Sequence, residues 1–109
     1  MSEHLPVVYT RFRDEFPDVL EAQHRLTDLL HRAGPLDDRE RRLAKLGIAI
    51  GTSSPGAVRS HARKALGEGI DPDAILHVAL LAISTAGFPS AIAAYGWIRE
   101  VLEGEKPAG

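Results

Sequence analysis

The chain contains no cysteine. This excludes disulfides, thiolate metal sites and any thiol redox cycle of the chain's own. It also fits a cytoplasmic location, which is the expectation. Neither sign of charge is in large excess: 13 basic residues face 15 acidic ones, for a net charge of -2. The sequence pI is about 6.2, so no electrostatic footprint for nucleic acid is present. No long apolar run exists. The longest, Ala74 to Ile83, contains His77 and is too short to span a bilayer. Residues Met1 to Leu5 lack a basic start followed by an apolar run, so no signal peptide is expected. Internal repeats, low-complexity tracts, a P-loop and a nucleophile elbow are all missing.

What is present points to one globular domain. The 109 residues are 44% apolar. A chain this long buries roughly two-thirds of the surface its unfolded form exposes. Helix signals dominate. Leu5 to Phe16 can hold a short helix ended by Pro17. Pro17 suits the first turn of a second helix, which Gly34-Pro35 stops. Asp37 or Asp38 can cap a third helix running to about Ile50, with Leu43, Leu46, Gly47 and Ile50 along one stripe. Ser54-Pro55 reads as an N-cap followed by a first-turn proline. Helix four then runs to Leu66 and ends at Gly67 or Gly69. Asp71-Pro72 repeats the signal for helix five, to about Thr85. After Gly87-Phe88-Pro89, helix six runs from Pro89 or Ser90 to about Glu103. No segment reads as a strand. The fold class is all-α: a single-domain antiparallel bundle of about six helices. Residues 1–33 supply two N-terminal helices, 34–103 the core and 104–109 a polar tail.

Helix five is apolar all round. Nine of its twelve residues from Ala74 to Thr85 are apolar. Such a helix needs cover on most sides, and a small chain supplies only part of it. Ala91, Ala93, Ala94 and Gly96 on helix six permit close approach of another helix. A homo-oligomer is therefore expected.

Among the chemistry-bearing residues, His61 is the most informative. It shares a stripe with Val58, Ala62 and Ala65, opposite Arg59, Ser60, Arg63 and Lys64. A histidine there can act as general acid or base, or can be a hydrogen-bonded structural residue. His24 and His31 lie seven apart on helix two without a matching acidic pair, so no metal site is expected. His77 follows Asp73 by four and can pair with it. The run from Asp37 to Lys45 is a solvated helix face, or a source of an arginine (Arg39, Arg41 or Arg42) for an anionic ligand.

From Gly34 onward the chain resembles the carboxymuconolactone decarboxylase family. The matching stretches are GPLDDRERRLAKLGIAIG (34–51), VRSHARKALGEGIDPDAILHVALLAI (58–83) and GFPSAIAAYGWIREVL (87–102). The resemblance implies an alkylhydroperoxidase D-like fold and a ring-shaped oligomer, a trimer or hexamer. The family's peroxidase branch carries Cys-x-x-Cys, a histidine four residues later and an upstream glutamate. Here those positions hold Ser54, Ala57, His61 and Arg42. Only the histidine remains, so the family's thiol peroxidase chemistry is excluded. The decarboxylase branch resembles the pattern without needing the thiols. The likeness therefore implies a cofactor-free decarboxylase acting on a small carboxylated lactone. His61 would be the proton donor. Arg42 and Ser54 would bind the substrate, Arg42 by orienting a carboxylate. The alternative is a non-enzymatic member that binds a small ligand or assembles with another protein.

Overall fold

Three of the helices begin where a capping side chain, Asp37, Ser54 or Asp71, offers the first backbone N–H groups a partner. The protein, a computed structural model, is described over residues 6–104. It divides into two compact units, one up to Pro35 and one from Leu36. Among the described residues there is no strand. The bundle is all-α.

The first unit holds α1 (Val7–Glu15) and α2 (Pro17–Arg32). The Phe16 N–H donates to the Phe12 carbonyl at 2.8 Å and closes α1. Pro17 follows, so the chain cannot continue the same hydrogen-bond ladder. The Phe12 and Phe16 rings meet at 5.4 Å. Tyr9 and His24 tie the two helices at 3.3 Å. On α2, Val19, Leu26, Leu29 and Leu30 are exposed, so this apolar stripe is largely uncovered.

The second unit holds α3 (Asp38–Gly51), α4 (Pro55–Gly67), α5 (Pro72–Leu81) and α6 (Phe88–Gly104). A capping box opens α3. The Asp37 carboxylate accepts from the Glu40 N–H at 2.8 Å, and Glu40 accepts from the Asp37 N–H at 2.9 Å. Ser54 caps α4 and Asp71 caps α5, each followed by proline. Gly69 (φ 85°) and Gly87 (φ 102°) adopt left-handed backbone where the chain leaves α4 and enters α6.

Several boundaries differ from the sequence expectation. Helix α3 reaches Gly51, and α6 starts at Phe88. Helix α5 stops at Leu81 rather than Thr85, and Ala82–Ser84 tighten into a 3-10 turn. The Thr85 hydroxyl donates to the Leu81 carbonyl at 3.0 Å, while the Ala86 and Gly87 N–H groups both donate to the Ala82 carbonyl. Side-chain and turn bonds thus replace the helical ladder. Gly104, assigned to the tail from sequence, ends α6, and the rest of that tail lies outside the described residues.

The core of this unit is hydrocarbon. Leu46, Ile50, Val58, Ile75 and Ile98 are fully buried, and no polar side chain among the described residues is. Nearly half of the buried apolar residues are alanines, among them Ala62, Ala65, Ala79 and Ala94. Small side chains let α3, α4, α5 and α6 approach closely. The side chains of α3 and α4 that point toward each other outside this core form the site below.

Candidate functional site

Arg42 lies in the second turn of α3, and His61 in the middle of α4. Glu68 is the C-cap residue of α4, seven positions after His61 and so near the same face. The three side chains meet. Arg42 grips the Glu68 carboxylate in bidentate fashion, Nε to Oε1 at 3.0 Å and Nη2 to Oε2 at 2.8 Å. Its Nη1 lies 2.8 Å from Nδ1 of His61. The Arg42 side chain is only 13% exposed, against 43% for Glu68.

A guanidinium can only donate. His61 Nδ1 is therefore the acceptor, and the neutral ring carries its proton on Nε2. The electrostatics agree. Burial first, then the positive charges of Arg42, Lys64 and Lys45, lower the His61 pKa to about 4, while Glu68 opposes them. Lys45 is also lowered, by burial and then by Arg42, Lys64 and Arg41. Near neutral pH the site is a neutral imidazole held among cations and one carboxylate.

This depressed pKa bears on stability. Between pH 6.5 and about 4 the unfolded chain protonates His61 and the folded chain does not. The unfolded state thus binds more protons, and this contribution is full above pH 6.5 and lost as pH falls toward 4. For a half-buried, screened ring the loss is about 1–2 kcal/mol. Urea unfolding at pH 7 and pH 4 is expected to show a pH penalty smaller by that amount in His61→Gln than in the parent protein. Equal penalties would contradict the buried neutral ring.

The remaining residues singled out from sequence go elsewhere. Ser54 does not join the cluster. Its hydroxyl accepts from the Ala57 N–H at 3.4 Å, and the helical rise places it about 10 Å along α4 from His61. Arg41 turns back to Asp38 and the Leu36 carbonyl. Arg39 and His77 line an open, largely apolar groove of about 680 Å³ between α3 and α5, with Leu43, Ile48 and Leu81. A smaller apolar groove of about 250 Å³ runs along α5 and α6 past Leu80, Ile83, Phe88, Ile92 and Tyr95. Arg59 pairs with Glu100 at 3.4 Å and lies over Trp97. No group of three or more potential metal ligands occurs among the described residues. No helix there is long and apolar enough to cross a membrane.

Glu68 is the site residue that sequence reasoning missed. It falls in Gly67-Glu68-Gly69, which reads as a helix-ending turn. Two signals were available. Glu68 is spaced by seven from His61, and Arg42 replaces a glutamate and so calls for a countercharge.

The fold and the cluster define a cysteine-free helical protein with a histidine on α4 held by charged groups from α3 and from the α4 terminus. The carboxymuconolactone decarboxylase family model matches residues 17–100, and the chain belongs to this family. The ligand-free crystal structure of a carboxymuconolactone decarboxylase family protein from Legionella pneumophila is similar in fold. Its TM-score is 0.76 at 22% identity, covering 89% of this chain and 87% of that one. No curated protein matches the sequence.

Proposed function

We propose that the protein is a cofactor-free decarboxylase of a small carboxylated lactone, working at Arg42, His61 and Glu68. The observation that carries this reading is the Arg42–His61 hydrogen bond, which leaves a neutral ring with a proton on Nε2. In such a reaction the bond between carbon and the departing carboxylate breaks. The electron pair spreads into the unsaturated lactone and onto its carbonyl oxygen, and a solvent proton replaces carbon dioxide on carbon. A catalyst must bind carboxylate and stabilise the developing enolate oxygen. The His61 Nε2–H supplies a donor for that oxygen without becoming charged. The positive charges of Arg42, Lys45 and Lys64 favour the anion. The imidazolium, which sequence alone would name as proton donor, is scarce at neutral pH when the pKa is about 4.

A non-enzymatic ligand-binding member is the second reading. It is favoured by Glu68, which occupies three-fifths of what the Arg42 fork offers together with His61: three of its five N–H groups are already engaged. Incubating the purified protein with 4-carboxymuconolactone and following its ultraviolet absorbance separates the two. Catalytic loss of substrate is expected. Saturable binding without turnover would favour the second reading, and neither would remove the carboxylate site.

The partner we propose is a second copy of the chain. The apolar face of α5 and α6, with Leu80, Ile83, Phe88 and Ile92 exposed, supports a homo-oligomer, since such faces mark association surfaces.

A further inference from the structure

The pairing of Arg42 with Glu68 has an odd energetic setting. Glu68 ends α4, where the helix dipole disfavours a carboxylate. Arg42 offsets that disadvantage, gripping both carboxylate oxygens while Nη1 stays on His61. The two partners also differ in access. The guanidinium is nearly enclosed, and the carboxylate is 43% exposed at the end of a helix. Glu68 is therefore the partner that water and a ligand reach more readily, and Arg42 the one that stays enclosed. The side of the guanidinium presented to Glu68 is the Nε–Nη2 edge, whose geometry fits any carboxylate in the same bidentate way.

We infer that Glu68 is an internal competitor for the ligand: its carboxylate holds the Arg42 fork until a ligand carboxylate displaces it. The ligand's carboxylate then takes the Nε–Nη2 edge, and the Nη1 bond keeps the His61 ring oriented beside it. This exchange conserves the charge on the fork, because one carboxylate replaces another. It also tunes affinity. A ligand that must displace Glu68 binds more weakly by the fraction of time the fork is open. A carboxylate is therefore selected over a neutral group, which cannot replace the charge that Arg42 loses. This inference rests on the proposed carboxylate site, and it assigns Glu68 a role that the site alone does not require.

The test uses adipate, an unreactive dicarboxylate, titrated into the parent protein, Glu68→Gln and Arg42→Met. Binding is read from the imidazole nitrogen signals of His61 in NMR spectra. Glutamine keeps the size of Glu68 and removes its charge. Glu68→Gln is expected to bind adipate about tenfold more tightly than the parent, since the competitor is gone. Arg42→Met is expected to lose binding. If Arg42→Met does not fold, Arg42→Lys serves, because it keeps the charge and loses the fork. Glu68→Gln binding no tighter than the parent, with Arg42 still required, overturns the competitor role and leaves the carboxylate site standing. Binding that is indifferent to Arg42, or no binding by any of the proteins, overturns both.

Discussion

Replacing His61 by alanine is expected to lower kcat for 4-carboxymuconolactone by about 10²–10³-fold, the usual cost of removing one donor aimed at a developing oxyanion. KM should change little, because the substrate's carboxylates are held by the cations. The effect follows from one contact. Arg42 donates to Nδ1 of His61, so the ring presents Nε2–H as a fixed neutral donor. His61→Gln, which retains an N–H, is expected to recover part of the loss. The pH profile separates this role from general acid catalysis. A neutral donor gives a kcat that is level from pH 8 to 5, a range that lies above the His61 pKa of about 4. An imidazolium acid would give a rate that climbs as the pH drops through that range. An unchanged kcat in His61→Ala would sink the catalytic role of the ring.

Ile98→Ala is expected to destabilise the second unit by about 2–5 kcal/mol, the range for truncating a buried aliphatic side chain. Ile98 is completely buried on α6 and belongs to the cluster with Leu46, Ile50, Val58 and Ile75. The truncation loses apolar burial and leaves a void that the surrounding helices only partly close. For a domain of this size that is roughly 10–30 °C in Tm. Urea unfolding followed by circular dichroism measures it. Ile92→Ala on the same helix is the comparison: Ile92 is 50% exposed and should cost well under half as much. Equal costs at the two positions would contradict the assignment of the inward face of α6.

Much of the architecture is written in short local signals. Ser54-Pro55 and Asp71-Pro72 start α4 and α5 where the sequence says, because a cap followed by proline fits few other conformations. Gly34-Pro35 likewise follows the end of α2. The stripe of Leu46 and Ile50, and that of Val58, Ala62 and Ala65, are buried as their spacing predicts. The end of α5 was not legible. Its apolar run continues through Ile83, and the break comes from hydroxyl and turn bonds to Leu81 and Ala82, which leave no mark on periodicity. The site was half legible. His61 stood out as a polar residue on an apolar stripe, and Arg42 through the family pattern. Their contact joins positions on different helices, and Glu68 enters from a residue that looked like part of a turn. Ser54 was assigned to substrate on position, but the N-terminus of α4 engages its hydroxyl first.

The many alanines in the second unit's core give its sequence drift a preferred direction. At Ala62, Ala65 and Ala94 there is no exposed surface into which a larger side chain could grow. A single added methyl or isopropyl group must push two helices apart, and overpacking of this kind is costly. Leu46, Ile50 and Ile98 tolerate exchange among similar aliphatics more readily. Descendants of this chain are thus free to vary their large core residues and their surfaces, while the alanine positions act as fixed spacers that set how far apart the helices stand.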